Sequence, residues 1–242
     1  MACGFNPLDQ MTNLAFPGEN IDNLRYKVLV YFKRVAPGRI VVQADAHMFA
    51  RYRTGNDPGY NAAFDLPAED RTKYSPRVLS NYHRPKLFAY WNVLFRKGGF
   101  DSRLKLQANG WTECAGKWID RSLVERGTQA RERAALHVPA EDFATGNLAS
   151  AYRDALAALR RTGARLCLVE FPVSDEYRAA IAGPLYQEAR DWFGSTATEF
   201  GARYLAHAAR YSAQPEYFSD MDHLNPTGAA AFTQQILPEC FG

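Results

Sequence analysis

The chain has 242 residues, 47% of them hydrophobic, 13% aromatic and 23% charged, a content that excludes disorder. Its 17 glycines and 13 prolines are too few for a collagen-like or low-complexity chain, and no apolar run is long enough for a membrane span. With 29 Lys+Arg against 26 Asp+Glu, the net charge of +3 is too small to argue for a nucleic-acid partner.

The N-terminus, MACGFNPLDQMTNLAFPGEN, has neither the basic start nor the apolar centre of a secretory signal, so no leader is expected in the chain as written. Residues 20–35 fit a first helix through the stripe Leu24, Val28, Tyr31 or Phe32, and Val35, although their Val, Tyr and Phe content also suits a strand. Pro37-Gly38 is a turn. Arg39-Ile40-Val41-Val42-Gln43 is a short β-branched run that predicts a buried strand. Asp45 then opens a loop into a helix over 47–52. A turn at 55–59, a strand over 60–64, a helix over 69–83 and a strand over 86–91 follow. Residues 96–145 give no clear pattern. Arg126, Arg131 and Arg133, and again Arg160, Arg161 and Arg165, read as solvated faces.

The clearest helix spans 147–162, with Leu148, Tyr152, Ala155, Leu156 and Leu159 on one stripe and Gly163 as its stop. A strand over 165–171 comes next. Ser174 caps a further helix, with Asp175 and Glu176 in its first turn. Asn225 caps a last helix with Pro226 at its first position, ending near residue 237. Strands alternating with helices predict an α/β fold with a parallel sheet. No long linker appears, so residues 1–242 read as a single domain, with 1–36 an N-terminal extension packed on it. The four cysteines (Cys3, Cys114, Cys167, Cys240) show no zinc spacing. Cys167 reads as a small core residue. A disulfide is open, but sequence does not pair them.

Two segments carry candidate chemistry. Asp220 and His223 lie three apart on a loop that runs straight into the last helix. A carboxylate there can accept from the imidazole Nδ1–H and leave Nε2 free to take a proton. The simpler alternative is a pair that only caps the helix. The second segment, Ala44-Asp45-Ala46-His47, follows the first strand, at the carboxyl end where open α/β sheets place their sites. It too can be an ordinary strand-to-helix turn.

Together these segments resemble the SGNH (GDSL-type) hydrolase superfamily, in the branch of the alginate and cellulose O-acetylation proteins. Asp220-Met221-Asp222-His223-Leu224 matches the late motif, and Glu170-Phe171-Pro172-Val173-Ser174 resembles that branch's strand-to-helix connection. The resemblance implies a three-layer α/β/α, flavodoxin-like fold with a central, mostly parallel sheet. It further implies a carbohydrate O-acetylesterase or O-acetyltransferase with His223 as base and Asp220 as its orienter. The oxyanion would be met by the backbone of position 46, by Ala63 and by Asn92, with Asp45 and His47 near the substrate.

The chain departs from the family at the decisive position. Ala46 stands where the nucleophilic serine belongs, and alanine cannot attack a carbonyl. The retained Asp220 and His223 favour a serine replaced by alanine to trap an ester over a natural, binding-only relative. Ala63 and Ala44 replace family glycines, and Asn92 lacks its flanking motif.

The resemblance implies no cofactor or resident metal. It implies a polysaccharide or acetylated sugar as substrate, a membrane acyltransferase as a possible partner, and a periplasmic or other extracytoplasmic location. Tyr82, Trp91, Trp111 and Trp118 could stack on sugars, but large aromatics are more often core. Two other readings compete. One is a non-catalytic glycan-binding or scaffold protein. The other is a metal-dependent phosphoesterase using Asp45, His47, Asp222 and His223, although the chain has no Gly-Asn-His or Gly-His-x-His segment.

Overall fold

The computed structural model describes residues 37–53, 116–140 and 142–242, together with the helical positions Ile21, Leu24 and Val28. Three strands, β1 (Arg39–Gln43), β2 (Arg165–Glu170) and β3 (Arg203–Ala206), form a parallel sheet in the order β1-β2-β3. Val41 pairs with Cys167 in the register, and Cys167 with Arg203. Five helices among the described residues accompany it: α1 (Leu123–Leu136), α2 (Asn147–Arg161), α3 (Asp175–Ile181), α4 (Pro184–Glu199) and α5 (Pro226–Phe241). The protein is thus α/β with a parallel sheet.

Side chains alternate across the sheet, and each set finds its own helices. Val42, Leu166 and Leu168 face a cluster built from Leu148, Tyr152, Leu156 and Leu159 of α2 and Ala189, Phe193 and Ala197 of α4. Ile21 and Val28 are buried in the same cluster, with Leu24 against it, so the helical stripe expected near the N-terminus is present at these positions. Cys167 and Val169 face the opposite way, toward Phe232 and Ile236 of α5, Tyr177 of α3 and Ala130 and Ala134 of α1. Helices therefore cover both faces, which explains why the strands read as near-continuous apolar runs.

Local chemistry sets the helix ends. Ser122 and Glu125 cap α1 reciprocally: the Ser122 side chain accepts from the Glu125 N–H, and Glu125 accepts from the Ser122 N–H. Gly163 after α2 has φ +80°, a conformation a side chain would strain. Ser174 accepts from the Tyr177 N–H at the start of α3. Asn225 accepts from the Gly228 N–H, with Pro226 in the first turn of α5.

Several sequence expectations need correction. The last helix does not stop at residue 237 but continues through Pro238 to Phe241. Pro238 forfeits one backbone hydrogen bond. Burial of Cys240 and Phe241 outweighs that loss, helped by the Cys167–Cys240 disulfide. The helix expected over 47–52 is two 3-10 turns, Ala46–Phe49 and Arg51–Arg53. Ala50 between them is extended and bridges to Pro139, which interrupts helical bonding.

The arginines of α1 are not all a solvated face. Arg126 is largely buried against Glu176 at 3.2 Å, and Arg133 reaches Asp222 at 3.1 Å. Arg160, Arg161 and Arg165 are exposed, as expected. The elements expected over 55–59, 60–64, 69–83 and 86–91 lie outside the described residues. So do Ala63, Tyr82, Trp91, Asn92, Trp111, Cys3 and Cys114. Trp118 is fully buried core. No described helix is long and apolar enough to cross a membrane.

Candidate functional site

The late loop is fixed before it carries any chemistry. Phe218 and Leu224 form an isolated antiparallel bridge that closes residues 219–223 into a compact turn. Ser219 N–H donates to the His223 carbonyl at 2.9 Å, and Asn225 Nδ2 donates to the Glu216 carbonyl at 2.6 Å. Ser174 N–H donates to the Met221 carbonyl at 2.9 Å and pins the loop to the segment after β2. Gly228 is required by close approach: a Cβ there would sit 2.3 Å from the Tyr217 carbonyl oxygen.

Within this turn, His223 Nδ1 lies 2.8 and 2.9 Å from the two oxygens of Asp220. The same nitrogen lies 3.3 Å from Oδ1 of Asp222. Both carboxylates thus address one ring nitrogen and leave Nε2 to deal with anything outside. Burial alone would pull the imidazole down. The hydrogen bond to Asp220 and the charges of Asp220 and Asp222 outweigh it and raise His223 to about 9. Burial pushes Asp222 the other way, yet His223, Arg133 and His137 hold its carboxyl well below the ordinary aspartate range.

The turn after β1 is built as tightly. Asp45 is buried, and its oxygens accept from the Phe171 N–H (3.0 Å) and from Gln43 Nε2 (2.6 Å). Burial and the nearby Glu170 charge push its carboxyl up to about 7, against the pull of those two hydrogen bonds. Ala46 follows as the first residue of the 3-10 turn, 6% exposed and packed in the cluster that holds Val42 and Phe49. His47 is also buried, with Nε2 3.2 Å from Gln43 Nε2. Burial, with the charge of Arg53, holds His47 well below the usual histidine range.

A residue not singled out by sequence joins the two segments. His137, just past the end of α1, stacks on His47 with ring centroids 4.9 Å apart. Its Nδ1 pairs with the Tyr177 hydroxyl and lies 3.9 Å from Asp222 Oδ2, while Nε2 is 3.3 Å from the Tyr52 hydroxyl. Burial lowers His137 to about 4, so it is neutral at neutral pH. The contacts run from His47 through His137 and Asp222 to His223, and they place the first and late motifs on one side of the molecule. His137 lies in the stretch that gave no pattern. Its usable sequence signal was the Ser122-x-x-Glu125 capping box, which starts the helix that carries Arg133 and His137 into place.

The sites expected from sequence are thus partly assembled. Asp220 and His223 are in contact. Asp45 and His47 are turned into the protein, and both are held by Gln43. Among the described residues, Asp220, Asp222 and His223 are the only three acidic, histidine or cysteine groups that come within 4.8 Å of one another, and Asp45 and His47 are not among them. An imidazolium whose Nδ1–H donates to a carboxylate has no lone pair there for a metal, so the trio reads as a charge-paired imidazole. A surface hollow of about 550 Å³ lies between α4 and β3, lined by Arg190, Ser195, Thr198 and Tyr204 among others; no residue of the late loop lines it.

No family model matches the chain, and no curated protein matches it.

Proposed function

We propose that this chain has the framework of a carbohydrate O-acetylesterase or O-acetyltransferase of the SGNH type, silenced by alanine at position 46. The observation that carries this reading is the Asp220–His223 contact at 2.8 Å on a loop joined, through Asp222, His137 and His47, to the turn after β1. A parallel sheet with helices on both faces and a site at the carboxyl ends of its strands fits the three-layer, flavodoxin-like arrangement of that superfamily. In the active form, a serine hydroxyl at position 46 attacks the acetyl carbonyl while Nε2 of the neutral His223, the form that gains population as pH approaches about 9, takes its proton. Asp220 holds the ring by Nδ1. His223 gives that proton to the departing alcohol oxygen, which leaves an acetyl-serine. It then takes a proton from the incoming water or sugar hydroxyl, which receives the acetyl group, and returns that proton to the serine oxygen. Ala63 and Asn92 are the proposed oxyanion donors, beside the backbone N–H of position 46, each worth about 3–4 kcal/mol in the transition state.

Asp45 acts here as a positioning group. It ties the turn that bears position 46 to the end of β2 through Phe171. The buried Cys167–Cys240 disulfide supports an oxidising, extracytoplasmic compartment, where such bonds persist. A polysaccharide or acetylated sugar is the proposed substrate, with an acyltransferase as acetyl donor in the transferase case.

The test is turnover of p-nitrophenyl acetate by Ala46→Ser, beside the unaltered chain and Ala46→Ser/His223→Ala. Turnover that appears with the serine and vanishes without His223 establishes the silenced hydrolase. A folded Ala46→Ser protein with no turnover of simple or sugar acetates rejects it.

A second reading has its own observation. The methyl of Ala46 packs into an apolar cluster where an unbonded hydroxyl would cost about 1–3 kcal/mol. That favours a chain in which alanine belongs at this position and the site only binds acetylated glycan. Equal acetyl-glycan affinity with and without His223, in an inert Ala46→Ser protein, is its expected signature.

A further inference from the structure

We propose that Asp222 is a second positioning residue for His223, holding the imidazole from the protein side while Asp220 holds it from the solvent side. The inference deepens the triad reading and rests on it for its catalytic meaning, but its geometry stands on its own.

The two carboxylates are built differently. The Asp220 side chain is 38% exposed, and its surroundings add one backbone bond, from the Asp222 N–H at 3.1 Å. The Asp222 side chain is 2% exposed. Its Oδ2 accepts from Arg133 Nε at 3.1 Å, and Oδ1 faces His223 Nδ1 at 3.3 Å. A carboxylate this deeply buried is kept only with cationic partners. Arg133 supplies one, and the His223 imidazolium supplies the other. Asp222 is thus a bridge between a fixed guanidinium on α1 and the ring on the late loop. Its field on the ring is less screened than that of Asp220, because less water lies around it.

The groups facing this pair come from every neighbouring element. Arg133 belongs to α1, and His137 follows that helix. Tyr177 of α3 reaches His137, and His47, Tyr52 and Arg53 stand behind His137 on the turns after β1. Burial keeps His137 and His47 neutral at neutral pH, so the charges acting on His223 there are Asp220, Asp222 and Arg133.

The test reads His223 directly, by NMR titration of its ring nitrogens in the chain as it stands. Two single variants are compared with it. In Asp222→Asn the His223 midpoint falls by at least one pH unit, a tenfold change in proton affinity, although Asp220 is intact. In Asp220→Asn, a change at a side chain 38% exposed, the midpoint stays above the ordinary histidine value of about 6.5, because Asp222 still holds the ring. A midpoint unmoved in folded Asp222→Asn overturns the inference. So does a midpoint at or below 6.5 in Asp220→Asn, since burial would then be acting with no carboxylate to oppose it.

The catalytic reading is separated by repeating both variants with Ala46→Ser and following the rate against pH. If NMR shows the fall in Asp222→Asn and the retained midpoint in Asp220→Asn while Ala46→Ser is inert, Asp222 positions the ring and the hydrolase reading fails. If Ala46→Ser is active and its pH–rate midpoint ignores Asp222→Asn, the hydrolase stands and the positioning role fails.

Discussion

Oδ1 of Asp45 accepts a hydrogen bond from the backbone N–H of Phe171 at 3.0 Å, across 126 residues of chain. The bond clamps the carboxyl ends of β1 and β2 together one residue before Ala46. Asp45 is buried and Phe171 half-buried, so removing the acceptor leaves a partly shielded donor without a partner. Asp45→Ala is therefore expected to lose about 1–3 kcal/mol of stability in urea unfolding. Asp45→Asn keeps an oxygen for Phe171 and also removes a buried ionisable group, so it should lose less. An Asp45→Ala protein as stable as the parent would show that the clamp contributes nothing.

The disulfide ties the middle of the sheet to the end of the chain. Cys167 is fully buried on β2, and Cys240 lies in the last turn of α5, 73 residues later. Closing a loop of that length restricts the unfolded chain by about 4 kcal/mol. It also anchors the turn of α5 beyond Pro238, where Phe241 receives the guanidinium groups of Arg39 and Arg165, each 5.7 Å from its centroid. The Cys167→Ala/Cys240→Ala protein should melt well below the parent, and reductant should lower the melting point of the parent but leave that of the variant unchanged. Equal sensitivity of both proteins to reductant would place the effect elsewhere.

What sequence could reveal follows from where each signal lives. The strand Arg39–Gln43 and the helix from Asn147 were readable because their apolar periods are local. Ser174 and Asn225 were readable as caps because a side chain three residues from an N–H is a local relationship too. The contact of Asp220 with His223 belongs to the same class.

Helix α4 and strand β3 were missed, and both are weakly patterned. Four residues of α4 are buried, and every residue of β3 is partly or fully exposed. His137 could not be found by any local rule. Its role comes from a stack on His47, ninety residues away in sequence, and from a carboxylate on a third segment. Arg133 was misread for the same reason, since its partner Asp222 lies far along the chain.

A buried ion pair supports the far end of β2. Glu170 is 1% exposed and accepts from Arg190 of α4 through both carboxylate oxygens, at 2.7 to 3.1 Å, and from the Tyr186 hydroxyl. Removing only the cation strands a carboxylate in the interior. Arg190→Met is expected to cost about 3–5 kcal/mol, and Glu170→Gln in the same chain should recover part of that loss. Chemical denaturation of the single and double variants measures both. No recovery in the double variant would mean that Arg190 acts through its packing on Tyr186, whose ring lies 5.4 Å from the guanidinium.

The stability of the protein should fall as pH rises past neutrality, and His223 sets the window. Burial depresses its affinity for protons, but Asp220 and Asp222 more than reverse that and lift it to about 9 in the folded state. In the unfolded chain an ordinary histidine titrates near 6.5. Between these values the folded protein binds the extra proton, so the contribution is complete below about 6.5 and is lost as pH climbs through 9. Asp45, held up to about 7, has the same sign at the lower edge of this range. His137 and His47 titrate below it in the folded state and add no slope there once the unfolded histidines are neutral. The loss is on the order of 3 kcal/mol across the window. Melting temperatures measured from about pH 7.5 to pH 9, where unfolded histidines are neutral and tyrosines are still protonated, should decline for the parent and stay nearly flat for His223→Gln. Parallel curves for the two proteins would show that the imidazolium is not held by its two carboxylates.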